Sequence, residues 1–148
     1  MSLRARLDYP PAWLLAFMAG AWALAGVWAP LGPPWAWIGA ALAAVSVAVA
    51  VWAMLAFRRA GTTIVPHREP SALVATGPYR YSRNPIYLAD LGLLAGWSLW
   101  LGTPLGLVLL WPFWTVLDRR FVRPEESVLA RDLGKPYLDW KARVRRWV

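Results

Sequence analysis

The chain has 148 residues, of which 59% are hydrophobic and 16% are charged, and its formal net charge is +8. The charged fraction is well below the ~25% that is usual for soluble domains. Cysteine is absent and there is one histidine, which excludes disulfides and Cys-ligated metals and leaves little for a histidine-based metal site.

Four apolar segments predict a single-domain, all-α integral membrane protein. A helix needs about 20 apolar residues to cross the hydrocarbon core of a bilayer. Residues 11–29 and 35–57 meet this requirement without an ionisable side chain. Residues 86–101 and 104–121 are weaker candidates that carry Asp90 and Asp118. We expect four transmembrane helices, and we expect Asp90 to pair with a nearby arginine because ionisable groups at such depth usually face protein or water.

The distribution of basic residues predicts the orientation in the membrane. Arg4 and Arg6 precede the first span, further arginines lie between the second and third spans, and the rest lie from Arg119 onward. The other two connections, near 30–34 and 102–103, carry no charge. By the positive-inside rule, both termini and the loop at 58–85 are cytoplasmic, and we expect the cell inner membrane. We attribute the positive charge to topology and contact with anionic lipids rather than to nucleic-acid binding.

Residues 123–148, here called the C-terminal cap, predict short amphipathic helices on the cytoplasmic face. Pro124 suits a helix start with two glutamates in its first turn, and Gly134 suits a C-cap. A second helix, at about 135–147, would place Tyr137, Trp140 and Val144 on one face. Such a basic, tryptophan-bearing helix fits either a membrane surface or a lid that folds back over a site.

Two elements on the cytoplasmic side carry the side chains suited to chemistry. "GPYRYSRNPIY" occupies 77–87, and "EESVLARDLGKPYLDW" begins at Glu125. Because the third and fourth spans form a hairpin, residues 83–90 are expected close to 118–126. Together the elements, which span about half of the chain, resemble the isoprenylcysteine carboxyl methyltransferase family, which is related to the membrane phospholipid methyltransferases. That family's signature is similar to G-x-Y-x-x-x-R-H-P-x-Y, followed by paired glutamates and F-G-x-x-Y-x-x-Y.

The resemblance implies a membrane methyltransferase, of the carboxyl O-methyltransferase type, that uses S-adenosyl-L-methionine. Its acceptor would be lipophilic, either an isoprenylcysteine carboxylate or a lipid. The implied cofactor-binding residues are Ser71, Ala72, Leu73, Val74, Tyr79, Asn84, Pro85, Ile86, Tyr87 and Glu125. The implied substrate-binding arginine is Arg120, with Arg119 and Arg123 as competitors, and Arg120 and Tyr87 are the implied catalytic residues. No metal is implied.

Two positions depart from the family pattern. Asn84 stands where the family has histidine, and asparagine exchanges hydrogen bonds but transfers no proton at neutral pH. Phe121 stands where ungapped spacing would place the family arginine. Both departures concern the acceptor and its chemistry more than the binding of the cofactor.

The residue types agree with this interpretation on physical grounds. A glutamate accepts hydrogen bonds from ribose hydroxyls, and aromatic rings attract a sulfonium cation. An arginine positions a carboxylate by bidentate hydrogen bonding. Each residue also has a simpler explanation: an interfacial aromatic belt for Tyr79 and Tyr87, helix N-terminal charge for Glu125, and the end of a span for Arg119 and Arg120. The alternative functions are a sterol-reductase-like NADPH enzyme, a four-span transporter and a non-catalytic lipid-binding scaffold.

Overall fold

The computed structural model describes residues 9–27, 29–61 and 73–148. These residues form helices and no strands, so the prediction of an all-α protein is confirmed for the described part of the chain. The elements are α1 (Pro10–Leu24), α2 (Pro33–Arg59), a 3₁₀ turn (Gly77–Arg80), α3 (Pro85–Trp100), α4 (Pro104–Val108), α5 (Leu110–Val116), a π-helical turn (Leu117–Val122), α6 (Arg123–Leu133) and α7 (Lys135–Lys141).

Prolines determine where the four apolar helices begin. Pro10, Pro33, Pro85 and Pro104 each occupy the first position of a helix. The ring fixes φ near its helical value, and the missing N–H is one that the first turn leaves unpaired. The helix starts therefore lie within two residues of the predicted span starts.

One helix among the described residues, α2, is long and apolar enough to cross a membrane by length and composition. It has 27 residues and contains an 18-residue window with a mean hydropathy of 2.3, whereas α1 and α3 have 15 and 16 residues. The outward face of α2 exposes large apolar side chains, including Trp37 and Val45. The prediction of four spans thus stays a prediction for the other three segments.

Helix α2 packs closely against α3 through small residues. A Cβ built on Gly39 would lie 2.5 Å from the backbone oxygen of Gly96 and 2.5 Å from the backbone nitrogen of Trp100. A Cβ on Gly96 would lie 2.8 Å from the backbone nitrogen of Ala43. The two helix backbones therefore touch, and this contact fixes α3, which carries Tyr87, beside α2.

Helix α5, the π-helical turn and α6 follow one another without a break, so α6 has no free N-terminus at Pro124. This corrects the prediction of a separate helix start there. Val122 has helical dihedrals, φ −60° and ψ −51°, directly before α6. The backbone N–H of Arg123 donates to the oxygen of Asp118, five residues back, which is the π-helical pattern. This wider turn accommodates Pro124, whose ring would clash with the preceding turn of a regular α-helix. Helix-terminal charge is therefore no longer a sufficient explanation for the two glutamates.

The C-terminal cap folds back onto the protein. Gly134 ends α6 with φ 57°, a conformation that favours glycine, so the predicted C-cap is confirmed. Helix α7 ends at Lys141 rather than near 147, and a turn follows it. Tyr137, Trp140 and Val144 are buried in one cluster with Ala53 of α2, which supports the fold-back interpretation for this face.

Candidate functional site

The hydroxyl of Tyr87 donates a hydrogen bond of 2.8 Å to Oε1 of Glu125. Tyr87 lies in the first turn of α3 and Glu125 in the first turn of α6. The two motif elements of the sequence therefore meet at this bond, although 38 positions separate the residues. The ring of Phe121 lies beside Tyr87, with 6.3 Å between ring centroids.

Tyr79 reaches the same region through the 3₁₀ turn. Gly77, which begins the turn, has φ +61°, and a Cβ there would lie 3.2 Å from Nε1 of Trp52 on α2. Only glycine adopts this conformation so close to the helix without strain. The turn buries Tyr79, whose ring packs edge-on against Phe57 with centroids 5.3 Å apart. Burial and the nearby charge of Glu125 raise the pKa of Tyr79, so its hydroxyl stays protonated at neutral pH.

Four of the predicted cofactor-binding residues share one cluster. Val74 and Tyr79 are buried in it, and Leu73 and Ile86 pack against it. Pro85 is buried at the start of α3. Ser71 and Ala72 lie outside the described residues, so their predicted role stays a prediction.

Both nitrogen atoms of Asn84 donate hydrogen bonds within the protein, one to a backbone oxygen and one to a side-chain hydroxyl. Its Nδ2 donates to the backbone oxygen of Arg146 at 2.9 Å, and its backbone N–H donates to Oγ of Ser82 at 3.1 Å. The side chain is buried. In this structure, the residue that replaces the family histidine joins the motif to the end of the C-terminal cap.

Arg119 and Arg120, the predicted substrate-binding residues, are both exposed. The guanidinium of Arg120 lies over the ring of Trp13 on α1, 5.3 Å from its centroid. Phe121, which is 3% exposed, is the residue of this turn that faces Tyr87. The structure thus brings Arg120 to α1 and an apolar ring to the Tyr87–Glu125 pair.

Glu126 is the centre of a group of ion pairs that we call the Glu126 cluster: Glu126, Arg83, Lys141 and Arg146. Oε1 of Glu126 accepts from Nη2 of Arg83 at 2.8 Å, and Oε2 accepts from Nη2 of Arg146 at 2.8 Å. Nζ of Lys141 lies 3.4 Å from Oε2. Burial opposes ionisation of Glu126, but hydrogen bonds from Arg146 and Arg83 outweigh it and lower its pKa.

Arg83 also bonds the backbone of the C-terminal cap. Its Nη1 donates to the carbonyl oxygens of Lys141 at 3.0 Å and Val144 at 3.1 Å. Its backbone N–H donates to the oxygen of Arg145 at 2.9 Å. Arg83 therefore connects the motif at 82–84 to the backbone of the cap. Its hydrogen bonds to Glu126 join the same two segments.

The neighbouring Glu125 has the opposite electrostatic character. Burial raises its pKa to about 7, while the hydrogen bond from Tyr87 lowers it. No described cation pairs with this carboxylate, and its Oε2 accepts no hydrogen bond from another described residue. The two adjacent glutamates are thus different: both oxygens of Glu126 accept hydrogen bonds within the protein, whereas only Oε1 of Glu125 accepts one from the described residues.

The two aspartates of the apolar segments also differ. Asp118 pairs with Nε of Arg123 at 2.6 Å, and its Oδ1 lies 3.6 Å from Nη1 of Arg146. Asp90 has no ion pair with any described arginine or lysine, so the expected structural pair is not found in this part of the chain. No group of three His, Asp or Glu side chains among the described residues could bind a metal.

The sequence interpretation missed Arg146 as a neighbour of the site and missed the pairing of Arg83 with Glu126. Arg83 lies inside the quoted motif, but its partner Glu126 is 43 positions away. Arg146 lies in a basic run that topology alone explained. Spacing along one sequence contains no signal for such long-range pairs.

The fold and the site define an all-helical protein with a helix able to cross a membrane, and with a tyrosine–carboxylate pair at a helix junction. The phospholipid methyltransferase family matches residues 35–136, more than half of the chain, and the chain belongs to this family, which includes the isoprenylcysteine carboxyl methyltransferases. An uncharacterized protein of Haemophilus influenzae (strain ATCC 51907 / DSM 11121 / KW20 / Rd) is 35% identical over 63 residues, which are 43% of this chain and 100% of that protein. No solved structure matches the chain.

Proposed function

We propose that the protein is an integral membrane methyltransferase that transfers a methyl group from S-adenosyl-L-methionine to a lipophilic acceptor. The observation that carries the proposal is the hydrogen bond between Tyr87 and Glu125, because it unites the two motif elements in a chain of the phospholipid methyltransferase family. We further propose that four segments cross the inner membrane and that both termini are cytoplasmic, in agreement with the basic residues on that side.

The residues near Glu125 fit the chemistry of the cofactor. Oε2 of Glu125, which accepts no hydrogen bond from the described residues, suits the donor hydroxyls of a ribose, and the rings of Tyr79 and Tyr87 suit an adenine or a sulfonium. When bound, S-adenosyl-L-methionine supplies a methyl group on a sulfonium sulfur, which an acceptor atom attacks in line while the carbon–sulfur bond breaks and its electron pair stays on sulfur. The role of Glu125 and the tyrosines is to bind and orient, and an aligned approach alone lowers the barrier substantially.

The apolar surroundings of Tyr87 and of α3 support a lipophilic acceptor. Phe121 faces Tyr87, and an apolar groove of about 250 Å³ lies farther along α3, lined by residues such as Gly39, Leu93 and Trp97. Leu93 is six residues beyond Tyr87, which corresponds to about 9 Å along a helix. These features support a lipophilic acceptor. A carboxylate, which Arg120 would bind, and an amine-headed lipid are both compatible with them.

Titration calorimetry in detergent with S-adenosylhomocysteine tests the proposal. We expect the wild-type protein to bind, and Glu125→Gln to bind at least about tenfold more weakly, because a charge-assisted hydrogen bond contributes roughly 1.5–3 kcal/mol. Asp139→Asn is the matched control, since Asp139 is exposed and the change also converts a carboxylate to an amide. Absence of binding by a folded wild-type sample would refute the proposed function. Equal affinity of Glu125→Gln and wild type would refute only the role of Glu125.

A further inference from the structure

Three polar atoms of the C-terminal cap are buried without a hydrogen-bond partner among the described residues: the hydroxyl of Tyr137 and the indole N–H groups of Trp140 and Trp147. Those of Tyr137 and Trp140 lie in one cluster. Tyr137 is 0% exposed and Trp140 is 7% exposed. Buried donors nearly always have an acceptor, because an unpaired one forfeits its hydrogen bond to water. These two atoms therefore require an explanation that ordinary packing does not provide.

Both side chains belong to the cluster that contains the predicted cofactor-binding residues. Tyr137 and Trp140 are buried in it together with Val74 and Tyr79, and Leu73 and Ile86 pack against it. The rings of Tyr137 and Trp140 lie 5.8 Å apart. A cofactor that these motif residues bind would consequently lie against α7.

Both atoms are donors at neutral pH. The indole N–H of tryptophan has no acceptor capacity. Burial and the charge of Glu126 raise the pKa of Tyr137 to about 12, against the opposing effects of Arg83 and Arg146, so the phenol remains protonated. A ligand that satisfies them must offer acceptor atoms, and S-adenosyl-L-methionine has several in its carboxylate, its hydroxyls and its ring nitrogens.

We propose that Tyr137 and Trp140 are cofactor-binding residues, whose O–H and N–H donate hydrogen bonds to acceptor atoms of bound S-adenosyl-L-methionine. This inference rests on the proposed function and extends it. The C-terminal cap then forms one wall of the cofactor site. It also gives a role to the second half of the sequence motif, Gly134, Tyr137 and Trp140, that the Tyr87–Glu125 pair leaves unexplained.

Tyr137→Phe tests the inference through two measurements on the full-length protein. We expect its affinity for S-adenosylhomocysteine to be about 3- to 10-fold weaker than that of wild type, which is the range for one lost hydrogen bond. We expect the ligand-free Tm, followed by tryptophan fluorescence, to stay equal or to rise, because phenylalanine removes an unpaired hydroxyl. Tyr81→Phe is the matched control, since Tyr81 is 70% exposed and should change neither quantity.

Trp140→Phe is the second variant and should weaken binding to a similar degree. Unchanged affinity of both variants, with wild type binding normally, would overturn the inference. A lower ligand-free Tm of Tyr137→Phe would also overturn it, because the hydroxyl would then have a partner within the protein. Failure of the wild-type protein to bind is a different result, and it counts against the proposed function itself.

Discussion

Replacing Arg83 by methionine should release the C-terminal cap from the motif at 82–84. The guanidinium of Arg83 donates to Oε1 of Glu126 from Nε at 3.1 Å and from Nη2 at 2.8 Å. Its Nη1 bonds two carbonyl oxygens of the cap. The side chain is 10% exposed and that of Glu126 is 7% exposed, so the pair is largely shielded from water. Methionine keeps much of the apolar stem and removes all of these bonds.

The expected free-energy cost depends on which partners Glu126 keeps after the substitution. Removing one partner of a buried ion pair typically costs about 3–5 kcal/mol, because the other charge is left uncompensated. Here Glu126 keeps Arg146 at 2.8 Å and Lys141 at 3.4 Å. We therefore expect a smaller cost, about 2 kcal/mol for opening of the cap, which corresponds to roughly a 30-fold larger open population. Arg83→Lys should recover part of it, since lysine restores the charge without the planar fork.

Hydrogen exchange measured by mass spectrometry reports this opening directly. In Arg83→Met, amides at 142–146 should exchange about 30-fold faster than in wild type, because exchange follows the local opening equilibrium. Arg80→Met is the control, since Arg80 lies three positions earlier and is exposed. Equal protection of the cap in Arg83→Met and Arg80→Met would show that the Glu126 cluster does not bind the cap to the motif.

Two further predictions concern helix packing and pH. Gly39→Ala should lower the Tm in detergent, by a cost of about 1–3 kcal/mol for overpacking against the α3 backbone. Gly20→Ala should leave the Tm unchanged, because its Cβ would lie 3.5 Å from Leu109. Equal Tm values of Gly39→Ala and Gly20→Ala would contradict the close contact of α2 and α3. Affinity for S-adenosylhomocysteine should fall about tenfold from pH 8 to pH 6, because protonation removes the acceptor form of Glu125, whose pKa is raised to about 7. In Tyr87→Phe the midpoint of this pH dependence should move to higher pH, because the hydrogen bond from Tyr87 lowers the pKa of Glu125 and the variant lacks that bond. A flat affinity profile from pH 6 to 8 would argue against Glu125 as the ligand acceptor.

Much of the candidate site could be predicted because it depends on local sequence. A hairpin of the third and fourth apolar segments places the start of α3 near the start of α6 whatever the packing details. The pairing of Tyr87 with Glu125 agrees with that expectation. The preference for Glu125 over Glu126 as a ligand-binding residue is likewise consistent with the contacts of the two carboxylates, although the choice itself awaits the binding experiments.

Other features depended on contacts between distant parts of the chain. The π-helical turn places Phe121 beside Tyr87 and Arg120 over Trp13. The contact of Asn84 with the cofactor stays a prediction, and the sequence did not indicate that its amide nitrogen donates to the backbone oxygen of Arg146. Helix α7 ends early because residues 143–146 turn to meet Ser82 and Arg83. None of these outcomes has a signature at a single position.

The sequence by itself determined the helical class, the starts of the apolar helices and the residue types of the site. Proline geometry and apolar length act within one segment, so they can be read along the chain. The tertiary structure decided which charges pair, where α7 ends and which polar atoms are buried without a partner. Those properties arise from residues far apart in the chain, such as Ser82, whose hydroxyl donates to the backbone oxygen of Arg146 64 positions away, and the free energy of such contacts depends on burial that only the folded chain creates.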